Sequence, residues 1–271
     1  MKTLPVALQL YTVRDYAEKD FKGTMQAVKD MGYDYVELAG LYGICPCEIK
    51  KTFDEIGLTA VSAHVPLDAL TSDMEGTIDS YITIGCKFIA IPYLGEGSRP
   101  GDDGFAEILA DIKAIGKMCH DKGVTLLYHN HDFEFVKLEN GEYGLDDMYA
   151  SVCSDYLQTE LDTCWVNVAG ECPSCYIKKY ADRCPVVHLK DFVGQKSDSM
   201  YELIGIDKKV EATQEFAFRP VGYGVQDFPS ILAASLESGA QYVVVEQDRS
   251  DDCTSLEAAK KSREYLKNLG W

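Results

Sequence analysis

An alternation runs through this chain from end to end: a short apolar, strand-like run, then an amphipathic stretch that closes on glycine. The first run covers 6–10. Phe21, Met25, Val28 and Met31 then recur at spacings of three and four, which predicts a helix over 21–31 ended by Gly32. Strands over 35–38, 59–63 and 88–92 lead in the same way to helices over 46–56, 71–84 and 104–122, with Gly57, Gly85 and Gly123 behind them. Further strands are predicted at 124–129, 158–161, 186–189 and 242–245, with helices over 145–152, 174–183 and 256–269. Eight strands alternating with helices in 271 residues predict a parallel sheet with right-handed crossovers, an α/β fold closed as a (β/α)8 barrel. An open doubly wound sheet is the rival. The count of eight and the lack of a G-x-G-x-x-G fingerprint behind the first strand favour the barrel. Such barrels occupy about 250 residues as one unit, so 1–271 reads as a single domain.

The interval between the seventh and eighth strands breaks the regular spacing. Its extra segment, about 193–226, contains Met200, Tyr201, Phe216, Phe218, Arg219 and the turn Val221-Gly-Tyr-Gly224. Leaving from the C-terminal end of a strand, it is expected to cover the barrel mouth as an active-site lid.

Composition removes several function classes. A net charge of −18 without any basic run repels a polyanion, since nucleic-acid binding depends on Lys and Arg neutralising phosphates. The same charge opposes adhesion to anionic membranes. The opening MKTLPVALQLYTVRD has too short an apolar stretch for a signal peptide, and no window approaches a membrane span. The expectation is a cytoplasmic protein, with a homo-oligomer left open. Ten irregularly spaced cysteines then read as reduced thiols rather than a disulfide framework. Cys45-Pro-Cys47 and Cys172-Pro-Ser-Cys175 are weak metal or redox signals without a second pair at matching distance.

Residues just past the strand ends of a barrel converge on one face, where the active sites of this fold lie. Here those positions hold Tyr11 and Arg14, Glu37, His64, Tyr93 and Glu96, the run from Tyr128 to Glu134, Asp162, His188 with Lys190 and Asp191, and Glu246 with Asp248. Four of the five histidines (64, 129, 131 and 188) fall there. Bringing Glu134, Asp162 and Glu246 together without a cation would set like charges against one another or leave one protonated. A divalent ion removes that conflict. Three carboxylates and one imidazole make a hard site suited to manganese or magnesium, with cobalt or zinc as further occupants.

The segments Gln9-Leu-Tyr-Thr-Val-Arg14, His129-Asn-His-Asp-Phe-Glu-Phe135, Glu160-Leu-Asp-Thr163, His188-Leu-Lys-Asp191, Val221-Gly-Tyr-Gly-Val225 and Val245-Glu-Gln-Asp248 resemble the sugar phosphate isomerase/epimerase family. The resemblance spans the whole chain and implies a xylose-isomerase-like TIM barrel. It also implies a metal set of Glu134, Asp162, His188 and Glu246, for one divalent ion, with Mn2+ as first choice. Many epimerases of this group carry the first metal glutamate inside strand five, where this chain has His129; its ligand would be Glu134, as in the dehydratase-like branch.

The expected chemistry is proton abstraction from a keto-sugar or sugar derivative through a metal-stabilised enediolate. His131 is the expected base, because histidine titrates near neutrality and lies three residues before Glu134. Lys190 is expected to hold an oxyanion or protonate a leaving oxygen, and Glu37 to act from another strand. Tyr11, His64, Tyr93, His129, Trp165 and Arg219 complete the expected substrate contacts. Returning the proton gives isomerisation or epimerisation; expelling a β-oxygen gives a lyase, as in inosose dehydration or 3-keto-glycoside elimination. An abasic-site endonuclease and a non-catalytic sugar-binding barrel are the remaining alternatives, the former opposed by five histidines and the acidic charge.

Overall fold

The computed structural model describes residues 2–196, 200–201 and 216–271. Part of the expected lid, 197–199 and 202–215, therefore lies outside the described residues. The barrel strands are β1 (Val6–Gln9), β2 (Tyr35–Ala39), β3 (Thr59–His64), β4 (Phe88–Ile91), β5 (Thr125–His129), β6 (Gln158–Asp162) and β7 (Val186–Leu189). An antiparallel pair follows, β8 (Asp191–Gly194) with β9 (Phe216–Arg219), before the last barrel strand β10 (Tyr242–Val245). The eight barrel strands pair in parallel and close, β1 lying between β10 and β2.

Two departures from the sequence reading have simple causes. The helix expected over 71–84 is two helices, Leu67–Ser72 and Met74–Ile84, because the Asp73 carboxylate accepts from Gly76 N and starts the second one afresh. The long interval before β10 contains an unforeseen barrel helix, Phe228–Glu237, opened by Asp227 with Pro229 in its first turn.

The barrel interior is layered. Ala7, Val61, Phe88, Ala90, Leu127, Val186, Tyr242 and Val244 form one apolar cluster within it. Side chains two apart on a strand share a face. One step further towards the C-terminal ends, that face carries Gln9, His129, His188 and Glu246 instead, all buried. On β3 the period is broken by a bulge, where Val36 pairs with Ala60 but Glu37 with Ser62. The extra residue lets His64 join the polar layer although it lies three positions from Val61, as bulges re-aim side chains.

The helices pack on the outside of this wall, and the long helix Phe105–Asp121 shows how tightly. A Cβ at Gly116 would stand 2.0 Å from the Tyr156 carbonyl oxygen. Alanine is the better helix former, but here overpacking against backbone outweighs propensity. Gly116→Ala should lower unfolding free energy by about 1–3 kcal/mol, read by urea denaturation; an unchanged midpoint would show that helix and loop separate freely.

Candidate metal centre

Four strand ends meet where His129, Asp162, His188 and Glu246 converge, with one donor atom from each within 4.8 Å of the others. His188 Nδ1 lies 2.9 Å from Glu246 Oε2, and His129 Nε2 lies 3.5 Å from Asp162 Oδ2 and 3.9 Å from Glu246 Oε2. Donor atoms about 2.0–2.2 Å from a common ion stand about 3–3.6 Å apart, so the set is near the size an ion requires. Local structure aims it. Asp162 caps the helix Thr163–Val168, its Oδ1 accepting from Cys164 N at 2.7 Å and Trp165 N at 3.1 Å. That leaves Oδ2 buried without a hydrogen bond and facing the group. Asn130 Oδ1 accepts from Asp162 N at 3.0 Å, and Thr163 Oγ1 donates to His188 O at 2.8 Å, tying β5, β6 and β7 together.

Of the four ligands expected from sequence, the structure brings together Asp162, His188 and Glu246. Glu134 is placed elsewhere. The single turn Phe133–Phe135 folds its carboxylate back, so that Oε1 accepts from the Tyr128 hydroxyl and Oε2 from His131 N at 2.8 Å. Burial pushes its carboxyl up to about 7. The position in the group is held by His129, which the sequence reading had given to substrate.

Lys190 is buried among three carboxylates, its Nζ 3.0 Å from Glu246 Oε2, 3.3 Å from Asp162 Oδ2 and 2.8 Å from Asp248 Oδ1. Burial opposes its charge, but these neighbours hold its pKa well above the ordinary lysine value. Burial likewise pushes Asp248 up to about 7, against the pull of Lys190. For Glu246 burial is outweighed by Lys190 and His188, and the carboxyl falls well below its usual range.

His131 stands over this group, its ring 5.5 Å from that of His129. It is stacked between Phe133 at 5.0 Å and Trp165 at 5.1 Å, with Tyr93 edge-on at 6.3 Å. Desolvation, then the Lys190 charge, lowers its pKa well below the usual histidine value. Tyr201 closes the stack against Trp165 at 5.5 Å and donates to Asp132 Oδ1 at 2.6 Å. The Arg99 guanidinium lies 3.6 Å over Phe133.

The remaining expected site residues lie below the group or at its edge. Glu37 and His64 are buried in the barrel interior beneath the group, in contact with each other at 3.2 Å. Tyr11 packs under Arg14 at 3.8 Å, and Arg14 donates to Asp248 O at 2.7 Å. Arg219 is turned outward to Asp252, at 3.3 Å. Asp191 serves as an anchor: Phe192 N and Gln226 N donate to its Oδ1, and Gly222 N and Gly224 N to its Oδ2, at 2.8–3.2 Å. Sequence reasoning assigned no role to Glu160, Asp248, Gln9 or Arg99. For Glu160 the signal was available, since it lies two residues before Asp162 on one strand and must share its face.

The family model for xylose isomerase-like TIM barrels matches residues 25–269. The chain belongs to that family. Among characterised relatives it is similar to an inosose dehydratase of Clostridium beijerinckii, 25% identical, the alignment covering 89% of this chain and 88% of the relative. Among solved structures it resembles a sugar phosphate isomerase/epimerase of Parabacteroides distasonis, with a TM-score of 0.78 at 20% identity over 97% of this chain and 98% of that one. It also resembles a zinc-bound IOLI protein, with a TM-score of 0.71 at 15% identity, covering 98% of each chain. The last two likenesses concern the fold alone. No helix among the described residues is long and apolar enough to cross a membrane.

The two ligand sets are separable by calorimetry with Mn2+ or Zn2+. His129→Ala should weaken ion binding by more than about 100-fold, as should His188→Ala and Asp162→Asn, which belong to both sets, beyond the cost of losing a supporting contact. Glu134→Gln should stay within about threefold, because its carboxylate is engaged by Tyr128 and His131. Loss of binding in Glu134→Gln with His129→Ala unaffected would return Glu134 to the ligand set.

Proposed function

We propose that this protein is a divalent-metal-dependent enzyme of the isomerase/epimerase type that takes a proton from the carbon beside the carbonyl of a keto-sugar or sugar derivative. The reading is carried by one juxtaposition: a desolvated, uncharged imidazole, His131, whose Nδ1 has no hydrogen-bond partner, stands directly over a four-residue ligand set. An ion held by His129, Asp162, His188 and Glu246 would supply Lewis-acid polarisation of the substrate oxygen. Two nitrogen and two oxygen donors suit manganese, cobalt or zinc better than magnesium.

The chain's own groups supply the rest. His131, neutral at physiological pH because burial and the Lys190 charge disfavour its imidazolium, accepts the proton and leaves an enediolate. Phe133, Trp165 and Tyr201 line the slot and keep water from quenching the carbanion. Tyr93, half-buried, offers a face to a sugar ring, and Trp165 backs the His131 imidazole. Lys190 carries the fixed positive charge nearest the developing oxyanion.

A second reading, the lyase, rests on Lys190 as well. Its ammonium has Asp248 behind it at 2.8 Å, a partner able to reprotonate it after it gives a proton to a departing β-oxygen. With His131 as base, that pair completes an elimination, and the likeness to inosose dehydratases supports it.

Proton NMR in D2O, with Mn2+ present and a panel of ketoses, inososes and 3-keto-glycosides, tests both. Deuterium incorporation with interconversion of isomers marks the isomerase; loss of water or aglycone with an enone or dione product marks the lyase. No exchange with any compound would sink the enzyme reading. His131→Ala should cut exchange by about 10²–10⁴-fold while the ion stays bound; if the ion is lost instead, His131 is a ligand and the base must be found elsewhere.

A further inference from the structure

Beneath the ligand set lies a second buried cluster that the proposed reaction does not use: Gln9, Glu37, His64 and Glu160, all 3% exposed or less. We propose that Glu160 and Glu37 are positioning residues that fix which nitrogen of His129 and His188 faces the ion. The proposal rests on the metal reading above and concerns how this chain presents its imidazoles.

Each of the two histidines points one nitrogen up and one down. His129 turns Nε2 toward Asp162 and Glu246, while its Nδ1 stands 3.3 Å from Glu160 Oε2. His188 turns Nδ1 toward Glu246 at 2.9 Å, while its Nε2 stands 2.8 Å from Glu37 Oε1 and 3.4 Å from Glu160 Oε2. A neutral imidazole has one lone pair and one N–H. The nitrogen that ligates must carry the lone pair, so the lower one carries the hydrogen and requires an acceptor. Neither lower nitrogen has a fully aligned hydrogen bond in the protein, and these two carboxylates are what lies within reach. Acceptors of this kind fix the tautomer and ring orientation of metal-bound histidines.

The two carboxylates are themselves held. Gln9 Nε2 donates to Glu37 Oε1 at 2.6 Å, and His64 Nε2 lies 2.6 Å from Glu160 Oε2. The His64 ring also stacks on that of His188, at 5.3 Å and 7° between planes. The bulge on β3 that swings His64 inward therefore has a purpose at the ion, two side chains away.

The competing arrangement is a second ion. His64, His129, Glu160 and His188 also present donor atoms within 4.8 Å of one another. Filling both groups would require His129 and His188 to bind through both nitrogens, each losing its remaining N–H proton. At 2.8 Å from His188 Nε2, the Glu37 carboxylate is close enough to accept its N–H after a small reorientation of the ring. The support reading leaves both histidines neutral.

The test uses the full chain loaded with Co2+ or Zn2+. Inductively coupled plasma analysis of the dialysed protein should give one ion per chain. Proton NMR of the Co2+ form in water should show two strongly shifted signals that vanish in D2O, from His129 Nδ1–H and His188 Nε2–H. Glu160→Gln should weaken Zn2+ binding by about 10–100-fold and move the His129 signal, with circular dichroism unchanged. Glu37→Gln should do the same to the His188 signal, and gives an independent result if Glu160→Gln does not fold. Affinity within threefold and unmoved signals in both variants would overturn the positioning role, as would two ions per chain with one lost in Glu160→Gln. Wild-type protein that binds no ion would overturn the metal reading itself, a different result from either.

Discussion

Charge inside a closed barrel has nowhere to be solvated, and that constraint organises the upper half of this molecule. Glu37, Glu160, Asp162, Glu246 and Asp248 are all 4% exposed or less, and so are Lys190, His64, His129 and His188. An isolated carboxylate in such a place would neutralise or not fold. Here each has a cationic or N–H-bearing neighbour, and the consequences can be read in the ionisation of the group. His188 and His64 hold Glu37 down to about 2 against the effect of burial, whereas burial and the nearby Glu37 charge lift Glu160 to about 7. Both glutamates stand within 3.4 Å of His64 and His188, yet the same surroundings move them in opposite directions. Coupled networks of this kind are stable only when complete, since removing one member leaves another buried and unpaired.

That completeness explains why the polar layer is fed from so many strands. Strand β1 contributes Gln9, β2 Glu37, β3 His64, β5 His129, β6 Glu160 and Asp162, β7 His188, and the residue past β10 is Glu246. Below them the interior is filled with ordinary apolar side chains. The apolar side chains fill the lower half, and the polar groups stand one pleat higher on the same strands.

Much of this was legible in the chain. Strand positions follow from short apolar runs, because parallel strands buried on both faces show little else. Asp162, His188 and Glu246 follow from strand ends and from resemblance. Where the Glu134 carboxylate points could not be read from the chain, because a one-turn 3-10 segment decides it, and its hydrogen-bond partner, Tyr128, faces away from the barrel axis. A side chain's direction at a loop is a tertiary property. The helix Phe228–Glu237 escaped notice because it is apolar over most of its length and so lacks the two-faced pattern that marks a surface helix. The pairing of β8 with β9 joins segments too far apart in sequence for any local signal.

The Asp191 carboxylate gathers four backbone N–H groups, three of them from the turn and strand exit at 222–226. It thereby joins the start and the end of the long excursion between β7 and the helix Phe228–Glu237, while Gln226 reaches the Lys190 carbonyl at 3.3 Å. Gly224 is fixed by the same contact, as a Cβ there would stand 2.3 Å from Asp191. Because the loop is sealed at its base, closing a longer or shorter one adds little entropy cost. One buried carboxylate thus ties the base of the excursion to β8 and to the Lys190 backbone, separately from the contacts that Tyr201 makes with Trp165 and Asp132.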